Sequence, residues 1–187
     1  MKPNKNIAVE TSFSPDGASY SVVHANTQDV AAELSKLTSD NGLVWYPLEY
    51  LINHGEYSNG TVGEVVMLYR NNKLVAYSFI ESYEHRDDKV FYHNDQGYKH
   101  LGHVHFLTDS SVRGLGVASY VARELKNRIL DPLLSRNPDN SFILATGGAI
   151  SPVLKAGFPA NRLTTDYFQQ SSFAEKVIEQ WENDNAA

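Results

Sequence analysis

A turn carrying two glycines, Val112-Arg113-Gly114-Leu115-Gly116-Val117-Ala118-Ser119-Tyr120, constrains this chain more than any other stretch. It follows an alternating run from His103 to Leu107 that reads as a strand. It opens a run with apolar Val117, Val121, Leu125 and Ile129 spaced four apart, which reads as an amphipathic helix. Glycine lets a backbone pass close to a ligand with no β-carbon in the way. The first helical turn leaves its N–H groups unpaired, and the helix dipole adds partial positive charge there. Such an end holds a phosphate or diphosphate, and Arg113 would add a fixed charge. A glycine-bearing helix start with no ligand has the same spacing, so the context of the turn has to decide.

The spacing is Arg-x-x-Gly-x-Ala. It is not the P-loop, because no Gly-Lys-Ser/Thr follows, and it lacks the third glycine of the dinucleotide fingerprint. The chain has 187 residues, a length suited to one domain with a sizeable core. Its net charge of −6 makes it a poor generic binder of nucleic acid, whose phosphates need a basic face. An acidic surface does suit a cationic amine. There are no cysteines, which removes disulfides, thiolate zinc sites and a cysteine nucleophile. No signal core follows Met1 and no run is long enough to span a bilayer, so a cytoplasmic protein with no membrane association is expected.

In chain order, residues 1–18 are polar and read as a loose, flexible arm, and 19–187 read as one domain. Tyr20 to Ala25 is a first strand. Asn26 or Thr27 caps a helix with Val30, Ala31, Leu34 and Leu37 on one face, and Asn41-Gly42 stops it. A second short helix is expected from about Tyr46 to Asn53, in a region made aromatic by Trp45, Tyr46 and Tyr50. Glu64–Arg70 and Lys73–Glu81 form a hairpin about Asn71-Asn72. Residues 85–99 are a loop or the lengthened end of a second hairpin. His100–Thr108 is a strand, Gly114–Leu130 a helix, and Pro132 with the polar stretch Ser135 to Asn140 a loop. Ser141–Thr146 is a buried strand. Ser151-Pro152 starts a very short helix ended by Gly157, and Arg162–Phe168 is a last strand. Ser172 with Glu175 opens a terminal helix over about 172–184, where Phe173 and Trp181 offer a face for a homodimer.

The turn and this element order together resemble the GCN5-related N-acetyltransferases. Their acyl-CoA diphosphate loop reads Arg/Gln-x-x-Gly-x-Gly/Ala, and here Arg113, Gly116 and Ala118 fill those positions, with Gly114 giving the common Arg-Gly start. The resemblance covers roughly residues 19–169 and extends to Gly157-Phe158, a common ending of the family's second segment. It implies an α/β (α+β) fold with a mixed, mostly antiparallel central sheet of about six to seven strands flanked by helices. It also implies that the family's fourth and fifth strands splay apart, here His100–Thr108 and Ser141–Thr146. The implied activity is acetyl transfer from acetyl-CoA to a primary amine of a small molecule, peptide or protein, by direct attack in a ternary complex. Arg113, Gly114, Gly116, Val117, Ala118 and Ser119 would hold the diphosphate. Phe106, Leu107 and Thr108 would pair with the pantetheine arm, and Thr146 falls near the family's frequent asparagine.

Acetyl transfer from a thioester needs a proton acceptor for the amine and a donor for the oxyanion. His103 and His105 lie two apart on one strand and so share a face, and histidine accepts a proton near neutral pH. The arylalkylamine acetyltransferases are similar in carrying a His-x-His pair on this strand, although here it lies about one residue nearer the arginine. Two partly exposed histidines with no proton role fit the same pattern. A zinc site would need further ligands from elsewhere, and none is assigned. Glu81 and Glu64 are other candidate bases, with a solvated strand-end glutamate as the plainer reading of Glu81. The tyrosine many family members use to protonate the thiolate falls at Val153, which leaves Tyr167, Tyr120 or water for that role. A non-catalytic acyl-CoA-binding or interaction module on the same fold is the second reading.

Overall fold

The computed structural model describes residues 8–42, 61–84, 91–93, 96–98, 100–136, 142–146, 150–159 and 163–164. For 61–62, 81–84, 91–93, 96–98, 100, 101, 103, 142–146 and 163–164 the description is of the backbone alone. The strands are β1 (Val9–Thr11), β2 (Tyr20–Asn26), β3 (Thr61–Arg70), β4 (Lys73–Glu84), β5 (Phe91–His93), β6 (Gln96–Tyr98), β7 (His100–Thr108), β8 (Phe142–Thr146) and β9 (Leu163–Thr164). The helices are α1 (Thr27–Asp40), α2 (Val117–Leu125), α3 (Asp131–Arg136) and α4 (Ile150–Lys155).

Seven strands form one sheet in the order β1-β2-β3-β4-β7-β8-β9, and β5 with β6 forms a separate two-stranded hairpin. Neighbours from β1 to β7 are antiparallel. β7–β8 and β8–β9 are parallel. The sheet is therefore mixed and mostly antiparallel, as the resemblance implied. The β3–β4 connection is a two-residue turn in which Asn71 and Asn72 both have positive φ, 48° and 65°. Asparagine tolerates that region, and the turn matches the twist of the flanking strands.

Strand alternation divides the core. Val22, Val66, Leu68, Ala76, Ile80 and Val104 face α2 and α4, where Val117, Val121, Leu125, Ile150, Val153 and Leu154 meet them. Val23, Ala25, Val65, Met67, Tyr77, Phe79 and Leu107 face α1, which contributes Leu34 and Leu37. Leu34 and Leu125 are fully buried, and such burial contributes about 1.5–3 kcal/mol per side chain. Inside the α1 layer the Thr38 hydroxyl donates to Leu34 C=O at 2.7 Å and lies 2.8 Å from the Tyr77 hydroxyl.

Several expectations are corrected. The arm of residues 1–18 is not loose in its described part: Val9–Thr11 pairs with β2, and the Phe13 ring stacks on Tyr120 at 4.2 Å. Neither Asn26 nor Thr27 caps α1 through its side chain; the Thr27 hydroxyl donates instead to Gly63 C=O at 3.2 Å. In the stretch 85–99 the described residues form the β5–β6 hairpin, and the β4–β7 ladder that flanks it is lengthened to Glu84↔His100. The expected loop at Pro132 is helical. Residues 126–130 form a π turn, with the Asp131 N–H on Lys126 C=O, and α3 follows. Proline cannot extend an α-helical ladder, and a widened turn relieves its clash with the preceding carbonyl. Pro132 thus stands in the first turn of α3, where its missing N–H costs nothing.

The helix expected at 46–53, Tyr167, the ends of the 162–168 strand, and the 172–184 helix with its dimer face lie outside the described residues. No described helix is long and apolar enough to cross a membrane.

Candidate active site

The glycine turn sits at the C-terminal end of β7. A 3-10 turn, Ser110–Val112, leads from the strand to Arg113, whose backbone is extended. Gly114 and Gly116 both have left-handed backbone, φ 80° and 76°, and Gly116 is the N-cap of α2 with no side-chain cap. A residue with a β-carbon resists this conformation, which is why glycine stands at both positions. A β-carbon built at either would meet nothing within 4 Å. At Gly114 and Gly116, both exposed, the turn is not covered by the described residues.

The first intrahelical bond of the segment is Tyr120 N–H to Gly116 C=O at 3.0 Å. Among the described residues, no protein acceptor takes the N–H groups of Gly114, Gly116, Val117, Ala118 or Ser119. Arg113 is exposed and, among the described residues, forms no ion pair. Three cations further along the helical segment are engaged: Arg128 with Glu124 at 2.7 Å, Lys126 with Asp131 at 2.9 Å, and Arg123 over the Tyr120 ring at 5.5 Å. Amides with no acceptor among the described residues, at the positive end of a helix and beside the Arg113 guanidinium, have the chemistry that suits an anion.

β7 and β8 pair only from His100↔Phe142 to Val104↔Thr146, while β7 runs on to Thr108. Its last four residues, His105 to Thr108, leave the β8-side edge open among the described residues. The Asp109 N–H donates to Val75 C=O at 2.7 Å. Ladder bonds in an antiparallel pair alternate. Leu107 and His105 therefore bond to Tyr77 and Phe79, and Phe106 and Thr108 turn their backbone N–H and C=O toward the open edge. This open edge, beyond the last residue of β8, leads straight to the glycine turn.

The other candidates divide by face. The His105 ring is half-buried and stacks on the buried Phe79 at 4.9 Å, on the α1 side of the sheet. Position 103 lies directly opposite position 81 in the β4–β7 ladder; the side chains of Glu81, His103 and Thr146 are outside the described residues. Glu64 is on the opposite face, since Val65 beside it packs in the α1-side core, and its carboxylate is 3.5 Å from His24 Nε2. Val153 is fully buried and cannot protonate a thiolate. The Tyr120 hydroxyl is 2.6 Å from Thr11 Oγ1, and burial raises its pKa, so this hydroxyl is held by the N-terminal segment. The short α4 ends in a Schellman motif, with Phe158 N–H on Val153 C=O at 3.1 Å and Gly157 N–H on Leu154 C=O at 2.9 Å.

Sequence reasoning missed Asn41 and Asp109. Asp109 is 8% exposed. Its Oδ1 accepts from the Ser111 N–H at 2.9 Å and from the Ser111 hydroxyl, and its Oδ2 accepts from the Asn41 amide at 3.3 Å. Hydrogen bonds from the hydroxyl and backbone N–H of Ser111 hold its carboxyl below the usual carboxylate range. The Asn41 side-chain oxygen accepts from the Ser110 N–H at 3.1 Å. Asp-Ser-Ser is a turn signal in itself, but nothing local in the sequence pairs it with Asn41.

No family model and no curated protein matches the chain. Solved structures resemble it at low identity. A "predicted acetyltransferase with acetyl-CoA" from Clostridium acetobutylicum has TM-score 0.49 and 16% identity, covering 83% of this chain and 97% of that one. A ribosomal-protein-alanine N-acetyltransferase from Brucella melitensis biovar Abortus 2308 has TM-score 0.39 and 15% identity, covering 69% and 81%. An aminoglycoside acetyltransferase from an uncultured soil metagenomic sample, in complex with sisomicin, has TM-score 0.35 and 10% identity, covering 87% of each chain. Likenesses at this level carry no argument about activity. On its own strand order, the open edge of β7 beyond the end of β8 and its glycine turn, the chain resembles the GCN5-related N-acetyltransferases in fold.

Proposed function

We propose that the chain is an acetyl-CoA-dependent N-acetyltransferase that acts on a primary amine by direct attack in a ternary complex. The observation that carries this reading is the unsealed turn from Arg113 to Ser119, with its acceptor-free amides, at the end of the open edge of β7. The diphosphate of acetyl-CoA would lie on the N–H groups of Gly114, Gly116, Val117, Ala118 and Ser119, with Arg113 beside it. The pantetheine arm would pair with the backbone of Phe106 and Thr108, with Leu107 between them and Thr146 at the end of β8.

In the reaction the amine nitrogen forms a bond to the acetyl carbon and the carbon–sulfur bond breaks. The amine proton passes to a base and a proton reaches the leaving thiolate. His103 and His105 are the proposed proton acceptors, with Glu81 opposite His103 in the ladder as the carboxylate that accepts directly or relays. A β7 backbone N–H on the open edge would stabilise the oxyanion. With Val153 buried and the Tyr120 hydroxyl held by Thr11, water or Tyr167 would protonate the thiolate. The net charge of −6 favours a cationic amine acceptor, and it disfavours nucleic acid.

The test is calorimetry with acetyl-CoA together with thiol release over a panel of small, peptide and protein amines. The reading expects saturable binding and release that depends on the amine. The missing tyrosine at Val153 favours a second reading, a non-catalytic acyl-CoA-binding module. Tight binding with no release on any amine supports that reading instead.

A further inference from the structure

The diphosphate turn is tied to α1 through one side chain. Asn41 ends α1, and its backbone N–H is shared between Leu37 C=O at 3.2 Å and Thr38 C=O at 3.3 Å. Its carboxamide uses both ends. The amide nitrogen donates to Leu37 C=O at 2.9 Å and to the Asp109 carboxylate at 3.3 Å. The oxygen accepts from the Ser110 N–H at 3.1 Å. Asp109 in turn holds Ser111 by its N–H and hydroxyl, and its own N–H closes the β4–β7 ladder on Val75. Ser110 and Ser111 form the 3-10 turn that ends at Arg113. From α1 to Arg113 the chain of bonds is thus continuous.

We infer that Asn41 and Asp109 are positioning residues that fix the cofactor's diphosphate turn against the end of α1. The inference rests on the proposed acetyl-CoA reading. A preorganised anion site binds its ligand without the cost of ordering the loop at that moment. Without Asn41, the Ser110 N–H and the Asp109 carboxylate each lose a partner, and the turn would sample other geometries. Neither residue touches the acetyl group or the amine in this account, so the effect falls on cofactor binding and not on the proton-transfer step.

Two probes separate this role from general destabilisation. Acetyl-CoA carries the diphosphate, whereas S-acetylpantetheine has the same thioester arm without it. In the full chain, Asn41→Ala is expected to weaken acetyl-CoA about tenfold, the size of a lost hydrogen bond to a charged group. S-acetylpantetheine affinity is expected to hold within about twofold, since the sheet edge it would use is untouched. Asn41→Asp sets a carboxylate against Asp109 and is expected to weaken acetyl-CoA at least as much. The swap Asn41→Asp with Asp109→Asn restores an amide–carboxylate pair between the positions and keeps an acceptor for the Ser110 N–H, while the donation to Leu37 C=O is lost. It is expected to bind acetyl-CoA more tightly than Asn41→Asp alone. If the native chain binds acetyl-CoA and all variants bind it equally, the positioning role is wrong and the cofactor reading stands. Equal weakening of both probes, or failure of the swap to recover binding in chains that melt cooperatively, also overturns it. If the native chain binds neither probe, the cofactor reading falls and this inference falls with it.

Discussion

The amide of Asn41, at the end of α1, lies 3.3 Å from the carboxylate of Asp109, one residue beyond the end of β7. Sixty-eight positions apart in the chain, the two meet at the entrance to the glycine turn. The contact joins the layer of α1 to the segment that turns from the sheet toward α2. The shape of the proposed cofactor site is thus set by residues outside it.

Acid should loosen this junction. The folded-state pKa of Asp109 is depressed, first by the Ser111 hydroxyl and then by its backbone N–H. A depressed carboxyl contributes stability that is fully present above its unfolded value, about 3.9, and is lost as pH falls through the folded value. The stability difference between the native chain and Asp109→Asn should therefore be constant from neutrality down to about pH 4 and shrink below it. Chemical denaturation at a series of pH values measures this. A difference that does not change with pH would contradict it.

Gly116 is required by backbone angle and not by crowding, since an added β-carbon meets nothing within 4 Å while φ is 76°. Gly116→Ala should cost about 1–2 kcal/mol of stability through the left-handed strain alone. Gly116→Asn should cost less, because asparagine visits that region. Both should weaken acetyl-CoA relative to the native chain. Urea midpoints give the first comparison and calorimetry the second.

Tyr120 serves structure in this account. Tyr120→Phe removes the hydroxyl that meets Thr11 at 2.6 Å and should cost about 1 kcal/mol. It should leave kcat and its pH dependence unchanged. A fall in kcat near neutral pH, with loss of the alkaline limb of the native profile, would instead make Tyr120 the thiolate acid.

Tyr77 is buried against Thr38, and burial pushes its pKa up to about 12 from 10.0. A raised pKa contributes stability that is complete below about 10 and lost as pH rises through about 12. Tyr77→Phe should cost about 1 kcal/mol at neutral pH and flatten part of the alkaline loss of stability. Unfolding followed from pH 9 upward shows both effects.

The histidines separate by their surroundings. His103→Gln should lower kcat by about a hundredfold or more while acetyl-CoA binding holds, as expected for a lost general base. His105→Gln should also lower the melting temperature, because the ring that stacks on Phe79 is removed. Steady-state kinetics beside thermal melts distinguishes the two. A His103→Gln enzyme with native kcat would remove His103 from the proton path.

What the sequence made legible was local. The Asn71-Asn72 turn, the apolar stripe of α2, the glycines of the turn before α2 and the Gly157 cap each follow from residue chemistry within a few positions. What it hid was long-range. Val9–Thr11 looks like a polar arm until β2 offers it an edge. Pro132 reads as a helix stop until the π turn at 126–130 makes room for it. Asn41 reads as a helix end, and its second role exists only because the fold brings Asp109 beside it. At the site, Glu64 and Glu81 have equal standing as carboxylates in the sequence. The sheet separates them, for Glu64 lies beside His24 on the far face and position 81 lies opposite position 103.

A crystal structure with acetyl-CoA tests the central claim most directly. The account predicts diphosphate oxygens within about 2.7–3.2 Å of N–H groups between Gly114 and Ser119, and the pantetheine arm paired with the backbone of Phe106 and Thr108. Acetyl-CoA bound elsewhere with the turn untouched, or no complex at millimolar acetyl-CoA, would contradict it.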